Sequence, residues 1–185
     1  MIETEKKYRL PRSLREEVIS RLKEFDAEDE GSQFEENIIY CGGILDEKNA
    51  VLRVRITEGR CLLTYKRRLA SQSSFKEQLE YETEFADLRS MSEILYALGF
   101  RPRLIYEKKR HTWKFRNVEV VLDELPFGDY MEIEGTMIDI TEAEMLLDIE
   151  DLEPENETYP RLTSRNGIIV NGVKESRFQK ENYVS

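Results

Sequence analysis

Polar and apolar residues alternate from Ile2 to Leu10 (IETEKKYRL), which predicts a strand ended by Pro11. Successive side chains of a strand point to opposite faces, so Glu3, Glu5 and Lys7 share one face. The period then changes. Leu14, Val18, Ile19, Leu22 and Phe25 recur at helical spacing over residues 12–25, and Pro11 stands near the first turn. The acidic DAEDEG segment predicts a loop. Three strand-like runs follow between residues 33 and 68 (FEENIIYC, AVLRVRIT, CLLTYKRRL), broken by Gly42-Gly43 and by Glu58-Gly59, the second break suiting a hairpin. LASQSSF predicts another loop, KEQLEYETEF a strand, and DLRSMSEILYALGF a helix that Gly99 ends. Three more strands are expected in RLIYEKKRHTWKF, VEVVLDEL and DYMEIEGTM. TEAEMLLDI predicts a short helix, with Thr141 as its cap and Glu144 completing a capping box.

With no Pro- or Ser-rich linker and no repeat, the 185 residues predict one α+β domain over 1–175, followed by a frayed tail at 176–185. About eight strands are expected, mostly antiparallel, with helices at the joins.

Composition narrows the function classes. Hydrophobic residues make up 39% and charged residues 36%, and the formal net charge is −10. That balance argues against a nucleic-acid or membrane-surface binder, although a basic site could be buried beneath an acidic average. No apolar run approaches the ~20 residues that span a bilayer, so a cytoplasmic protein is expected. Cys41 and Cys61 lack zinc-site spacing and are expected to be reduced. His111 is the one histidine, which leaves triad chemistry and histidine-rich metal sites without support. Catalysis would rest on carboxylates, lysines, arginines and a metal.

The strands carry charges of one sign at alternate positions. Arg53 and Arg55 share a face, as do Lys66 and Arg68, Glu80, Glu82 and Glu84, Lys108 and Arg110, Glu119 and Asp123, and Glu132 and Glu134. The plain reading is the wet face of an antiparallel sheet. The alternative is a sheet closed with its apolar face outward, since about eight strands suffice to enclose side chains or one small ligand. Acids clustered inside would repel and take up protons unless a hard cation held them, and oxygen-only ligands suit Mg²⁺ or Mn²⁺. Clustered Arg and Lys suit a polyphosphate. A unit-charge pair at 4 Å gains about 1 kcal/mol in water and about 4 kcal/mol at an effective dielectric of 20, so enclosure would decide the strength of such contacts.

The motifs E-T-E-K-K (3–7), L-R-V-R (52–55), L-T-Y-K (63–66), E-Y-E-T-E (80–84), K-K-R (108–110), V-L-D-E (121–124) and E-I-E-G (132–135) stand in the order found in the CYTH proteins, or triphosphate tunnel metalloenzymes. The chain resembles that family over roughly residues 1–165. The resemblance implies an eight-stranded antiparallel closed barrel, a tunnel with helices outside, that binds a triphosphate and Mg²⁺ or Mn²⁺. Lys7, Arg53, Arg55, Lys66, Lys108 and Arg110 would hold phosphates, with Lys108 and Arg110 chosen over Lys109 by alternation. Glu3, Glu5, Asp123, Glu132 and Glu134 would hold metal, directly or through water. Glu80 and Glu82 would support the basic residues, and Glu5, Lys7 and Arg55 would be catalytic. Arg68 and Glu84 fit the tunnel mouth or a solvated face. The second strand, ENIIYCGG, departs from the family by lacking an aspartate beside its aromatic residue. T-Y-P-R-L loosely matches a segment that precedes a plug helix, to which Lys174 would contribute.

The resemblance implies a metal-dependent hydrolase of inorganic triphosphate or a small organic triphosphate such as thiamine triphosphate. The alternatives are a class IV-type adenylate cyclase, converting ATP to cyclic AMP and pyrophosphate, and a non-catalytic polyphosphate- or nucleotide-binding module. A monomer or homodimer is expected, with a small-molecule triphosphate as partner.

Overall fold

The computed structural model describes residues 2–68 and 76–179; the side chains of residues 2, 3, 68 and 76–78 are not described. LASQSSF, expected as a loop, lies outside the described residues. The chain runs β1 (Ile2–Arg9), α1 (Arg12–Glu24), β2 (Glu28–Cys41), α2 (Ile44–Glu47), β3 (Ala50–Thr57), β4 (Arg60–Arg68), β5 (Lys76–Phe85), α3 (Leu88–Ala97), β6 (Arg101–Phe115), β7 (Val118–Leu125), β8 (Gly128–Glu134), α4 (Met137–Leu147), α5 (Tyr159–Asn166), β9 (Ile168–Val170) and β10 (Val173–Ser176).

The strands form one curled sheet in the order β2-β3-β4-β5-β1-β8-β7-β6-β10-β9, antiparallel except where β10 runs parallel to β6. The curl brings β2 onto β6 over Glu28–Cys41, while β2 also pairs β3. Two seams are short. Residues Ile2–Glu5 of β1 meet β5, and Glu36–Tyr40 of β2 meet β3. The sheet curls into a half-barrel, with the β2–β6 ladder joining the strands at its two ends. The α+β antiparallel architecture stands.

The two faces are sorted by the period of the strand. On the convex face, Tyr8, Leu10, Trp113, Phe115, Val120, Leu122, Met131 and Ile133 form a core with Val18 and Leu22 of α1 and Ile140, Ala143 and Leu147 of α4. Leu52 and Val54 of β3 pack with Leu95 of α3 and Leu45 of α2 in a second cluster. The residues between them in sequence, Glu5, Lys7, Arg53, Arg55, Arg110, Glu132 and Glu134, share one cavity on the concave face. One helix does not lie outside as expected. Tyr159 and Leu162 of α5 pack with Ile39, Leu104, Tyr106, Leu125 and Tyr130, whose side chains point inward.

Four local expectations need correction. The acidic DAEDEG segment is not wholly a loop, because β2 begins at Glu28. There β6 supplies a ladder, a counter-charge in Lys114, which pairs with Glu30, and a hydrogen-bond partner in His111, 2.6 Å from Asp29. A bulge between Asp29 and Gly31 absorbs the turn residues, Gly31 taking φ 88°. Helix α4 begins a turn earlier than TEAEMLLDI predicts. Thr136 caps it by accepting from Asp139 N at 3.2 Å, and Thr141 lies inside, donating to Met137 O. Glu144 consequently completes no capping box and accepts instead from Lys6 and Tyr8 on the convex face. The segment expected as a tail is structured at its start. Ser176 ends β10, Arg177 ion-pairs with Glu36, Glu107 and Glu175, and residues 180–185 lie outside the described residues.

Two isoleucines test this sorting. Ile133 is fully buried between the convex face and the helices, whereas Ile138 on α4 is 80% exposed. In urea unfolding, Ile133→Ala is expected to lower stability by about 2–5 kcal/mol. Ile138→Ala should change it by no more than about 0.5 kcal/mol. Equal effects would contradict the orientation of β8.

Candidate functional site

The concave face holds a cavity of about 120 Å³. Lys7, Arg53, Arg55, Lys66, Lys108 and Arg110 all line it. They arrive from four strands, β1, β3, β4 and β6, at alternate positions along each. Glu5, Glu132 and Glu134 contribute carboxylates to the same wall, and Tyr159 and Pro160 of α5 cover one side. A larger cavity, about 300 Å³, lies between the β6–β7 turn and α4 and contains none of the residues singled out in the sequence.

Each cation rests on a counter-charge. Arg110 donates to Asp123 through Nε (2.8 Å) and Nη2 (2.7 Å), and also to Glu132 at 2.7 Å. Two parallel N–H···O bonds on one carboxylate fix both the plane and the position of the guanidinium. Lys7 Nζ lies 3.1 Å from Glu132, donates to the Glu157 carbonyl at 3.3 Å, and sits 3.9 Å from the centre of the Tyr159 ring. Lys108, 1% exposed, lies between Glu35 (3.3 Å) and Asp123 (3.4 Å). Arg55 Nε approaches Glu35 at 3.5 Å. Arg53 donates to Thr64 at 3.3 Å and lies 3.7 Å from Glu82 and 4.0 Å from Glu80, while Lys66 pairs with Glu80.

The proton affinities follow from this layout. Burial pushes Lys108 down to about 8, reinforced by Arg110 and opposed by Asp123 and Glu35. Burial alone would lower Lys7 as well, but Glu132 and Glu5 outweigh it and hold the ammonium above its ordinary range. Glu35 is displaced the other way. Burial would raise its carboxyl, yet Lys108, Arg110, Arg55 and Arg53 keep it ionised far below the usual carboxylate range.

At the opposite side of the wall the acids face one another. Glu134 stands opposite Glu5 in the β1–β8 register and opposite Glu119 in the β7–β8 register. Burial raises its carboxyl to about 7, Glu119 adds to the shift, Lys66 opposes it, and Glu5 and Glu80 add again. A carboxylate that keeps its proton because of burial and like-charged neighbours would be relieved by a hard divalent cation. Among the described residues, no three His, Cys, Asp or Glu side chains form a ready ligand set. The donor chemistry thus fits Mg²⁺ or Mn²⁺ at Glu5 and Glu134, with further oxygens to come from water or a phosphate.

Of the expected metal residues, Asp123 stands among cations. It is fully buried, and Arg110, Lys108 and the Tyr159 hydroxyl (2.8 Å) all address it. It orients cations. Glu132 likewise serves Lys7 and Arg110, while the Glu3 side chain is not described. Glu80 lies beside Arg53 and Lys66, Glu82 lies beside Arg53, and Glu84 is exposed. Lys174 lies in β10 opposite Leu104 and is not part of α5.

Sequence reasoning missed Glu35 and underweighted Tyr159. Glu35 sits in FEENIIYC beside the exposed-looking Glu36, and only its alternation with Asn37 and Ile39 marks it as inward-facing. Tyr159 follows its cap, Thr158, at the start of α5, where its ring meets Tyr130 and Tyr106 at centroid distances of 5.5 and 6.2 Å.

Comparison with known proteins agrees with this architecture. Residues 1–161 match the CYTH domain model. A Methanocaldococcus jannaschii protein, provisionally named an adenylate cyclase, is 28% identical over 151 residues, 80% of this chain and 85% of that one. The solved PH1012 protein of Pyrococcus horikoshii superposes with a TM-score of 0.75 at 24% identity, covering 86% of this chain and 98% of that one. A Hippeastrum protein named an adenylyl cyclase, whose structure is described as revealing a dominant triphosphatase activity, gives a TM-score of 0.68 at 16% identity, with 90% and 97% covered. With the family model spanning most of its length, the chain belongs to the CYTH domain family.

Proposed function

We propose that the protein is a divalent-metal-dependent hydrolase of inorganic or small organic triphosphates. The observation that carries this reading is the convergence of Lys7, Arg53, Arg55, Lys66, Lys108 and Arg110 on one cavity, in a protein whose net charge is −10. Cations gathered at that density, most of them shielded from water, call for a ligand with several negative charges along a short chain. The cavity's size matches a phosphate chain, with any organic group of the substrate lying outside it. Pockets for drug-sized organic ligands run to about 300–1,000 Å³, against about 120 Å³ here.

In this reading the arginines and lysines bind the phosphate oxygens and draw charge off the phosphorus as the terminal bond breaks. Lys7, Arg53 and Arg55 hold the chain in line, and Tyr159 keeps water from Lys7 and Asp123. Glu5, beside Glu134, orients the water that attacks the terminal phosphorus. A bound Mg²⁺ or Mn²⁺ would add charge neutralisation at the leaving phosphates. The Hippeastrum protein supports weighing triphosphatase over cyclase, because a cyclase name and a dominant triphosphatase activity occur together on this fold.

Three measurements test the reading. Purified protein with Mg²⁺ or Mn²⁺ is expected to release orthophosphate from inorganic triphosphate or thiamine triphosphate, and to form no cyclic AMP from ATP. Cyclic AMP with pyrophosphate would instead establish the cyclase. Glu5→Gln should abolish turnover, whereas Arg53→Ala should chiefly raise KM; a Glu5→Gln protein fully active with added metal would remove Glu5 from the metal assignment.

The third is the pH dependence of stability. Glu134 titrates near 7 when folded and at an ordinary 4.5 when unfolded. Between those values the folded state holds a proton that the unfolded chain has released, so this group's stabilising contribution falls as pH rises. Mg²⁺ should reverse the loss. At 100-fold saturation it adds about 2.7 kcal/mol, so melting temperature should rise clearly at pH 8 and little at pH 5.5. In Glu134→Gln that pH difference should disappear. No stabilisation by Mg²⁺ at either pH would refute the metal site.

A further inference from the structure

The phosphate-binding cations have a buried counter-ion that does not itself line the cavity. Glu35 of β2 is 0% exposed. Its Oε2 lies 3.3 Å from Lys108 Nζ and 3.5 Å from Arg55 Nε, and accepts from Asn37 Nδ2 at 3.3 Å. Asn37 is also fully buried, so the Glu35 carboxylate is itself held from behind. Asp123 closes the opposite side of Lys108 at 3.4 Å, and the Tyr159 ring lies 5.5 Å from the same ammonium. Lys108 therefore stands between two carboxylates from different strands, with Arg110 on its own strand and Arg55 on β3 as its cationic neighbours.

We propose that Glu35 is a positioning residue of the triphosphate site: through Oε2 it clamps Lys108 and Arg55 from behind, so that two cations from separate strands present to one phosphate chain. The inference rests on the triphosphate reading above and adds to it a residue that touches no phosphate. Without the clamp, Lys108 and Arg55 would face each other and Arg110 with Asp123 as the remaining acid beside Lys108. Like charges so placed separate, and a lysine with four rotatable bonds loses its fixed position.

The sign of the effect separates this role from a simple charge. Glu35 is an anion behind an anion-binding site, so deleting its charge through space would tighten polyanion binding. Losing the clamp would weaken it. Enclosure favours the second effect, because the side chains concerned are almost entirely withdrawn from water and cannot be reoriented by it.

The test is calorimetric titration of the whole protein with inorganic triphosphate in EDTA, alongside steady-state kinetics with Mg²⁺. Glu35→Gln is expected to weaken triphosphate binding by about tenfold to a hundredfold, the usual range for removing an outer partner of a ligand-binding side chain. KM should rise in parallel, with kcat within a few-fold of wild type. Glu35→Asp should recover part of the affinity, and Glu36→Gln, on the opposite face of the same strand, should match wild type. Equal or tighter binding by Glu35→Gln would overturn the assignment and leave the triphosphatase reading standing. A wild-type protein that does not bind triphosphate would take down both. Should Glu35→Gln fail to fold, Glu35→Asp decides: weaker binding at an unchanged melting temperature supports the clamp, and wild-type binding overturns it.

Discussion

The buried ion pairs of the concave face are the constraint on which the rest of the structure depends. Lys7, Lys108, Glu35 and Asp123 are each no more than 3% exposed. Withdrawing such groups from water costs several kcal/mol per ion unless each finds a close partner of opposite sign. A single unmatched charge here would cost more than most core substitutions. The arrangement therefore has to be satisfied pair by pair: Asp123 of β7 meets Arg110 of the neighbouring β6, while Glu35 of β2 with Lys108 of β6, and Glu132 of β8 with Lys7 of β1, join strands distant in sequence.

That requirement explains why the apolar core is on the outside of the sheet. Every strand that contributes a charge inward must, by the period of two, send its alternate side chains outward. Those residues, such as Val54, Val120, Leu122, Met131 and Ile133, are covered by α1, α3 and α4. The helices are thus as much a consequence of the charged face as a packing solution of their own. The exception is α5, which turns inward because Tyr159 offers both a ring to Lys7 and a hydroxyl to Asp123. An aliphatic residue there would cover the site but leave Asp123 short of a donor.

Much of this was legible in the chain. Same-sign charges at alternate positions named the inward faces, and the motif order placed the cations Lys7, Arg53, Arg55, Lys66, Lys108 and Arg110 in one site before any geometry was known. What stayed hidden was information about neighbours. Alternation says which way Asp123 points but not that Arg110, Lys108 and Tyr159 surround it, so an acid expected at the metal is in this structure committed to two cations and a hydroxyl. Glu35 was obscured by its neighbour: in E-E-N one glutamate faces in and the other out, and only pairing with β6 distinguishes them. The start of β2 was hidden for a similar reason. DAEDEG has every local mark of a loop, and its strand exists because β6 is long enough to hold it. The extent of curl and the short seams depend on pairing lengths that no single strand encodes.

Glu35 and Glu134 show how one residue type acquires two functions on one face. Both are glutamates on inward positions of the same sheet, and burial pushes both toward protonation. Glu35 is instead held ionised because four cations stand around it, while Glu134 is raised to about 7 by burial, with Glu119, Glu5 and Glu80 adding to the shift against Lys66. The difference divides the cavity electrically. Around β2, β3 and β6 the field is set by cations whose acids are already committed, which is the environment a phosphate chain needs. Around β1 and β8, acids accumulate beyond what the nearby cation neutralises, which is the environment a divalent cation needs. A triphosphate–metal complex carries the same division, its anionic chain ending at a bound cation. On the proposed function, the gradient of charge along the wall would constrain the ligand's orientation as well as its composition.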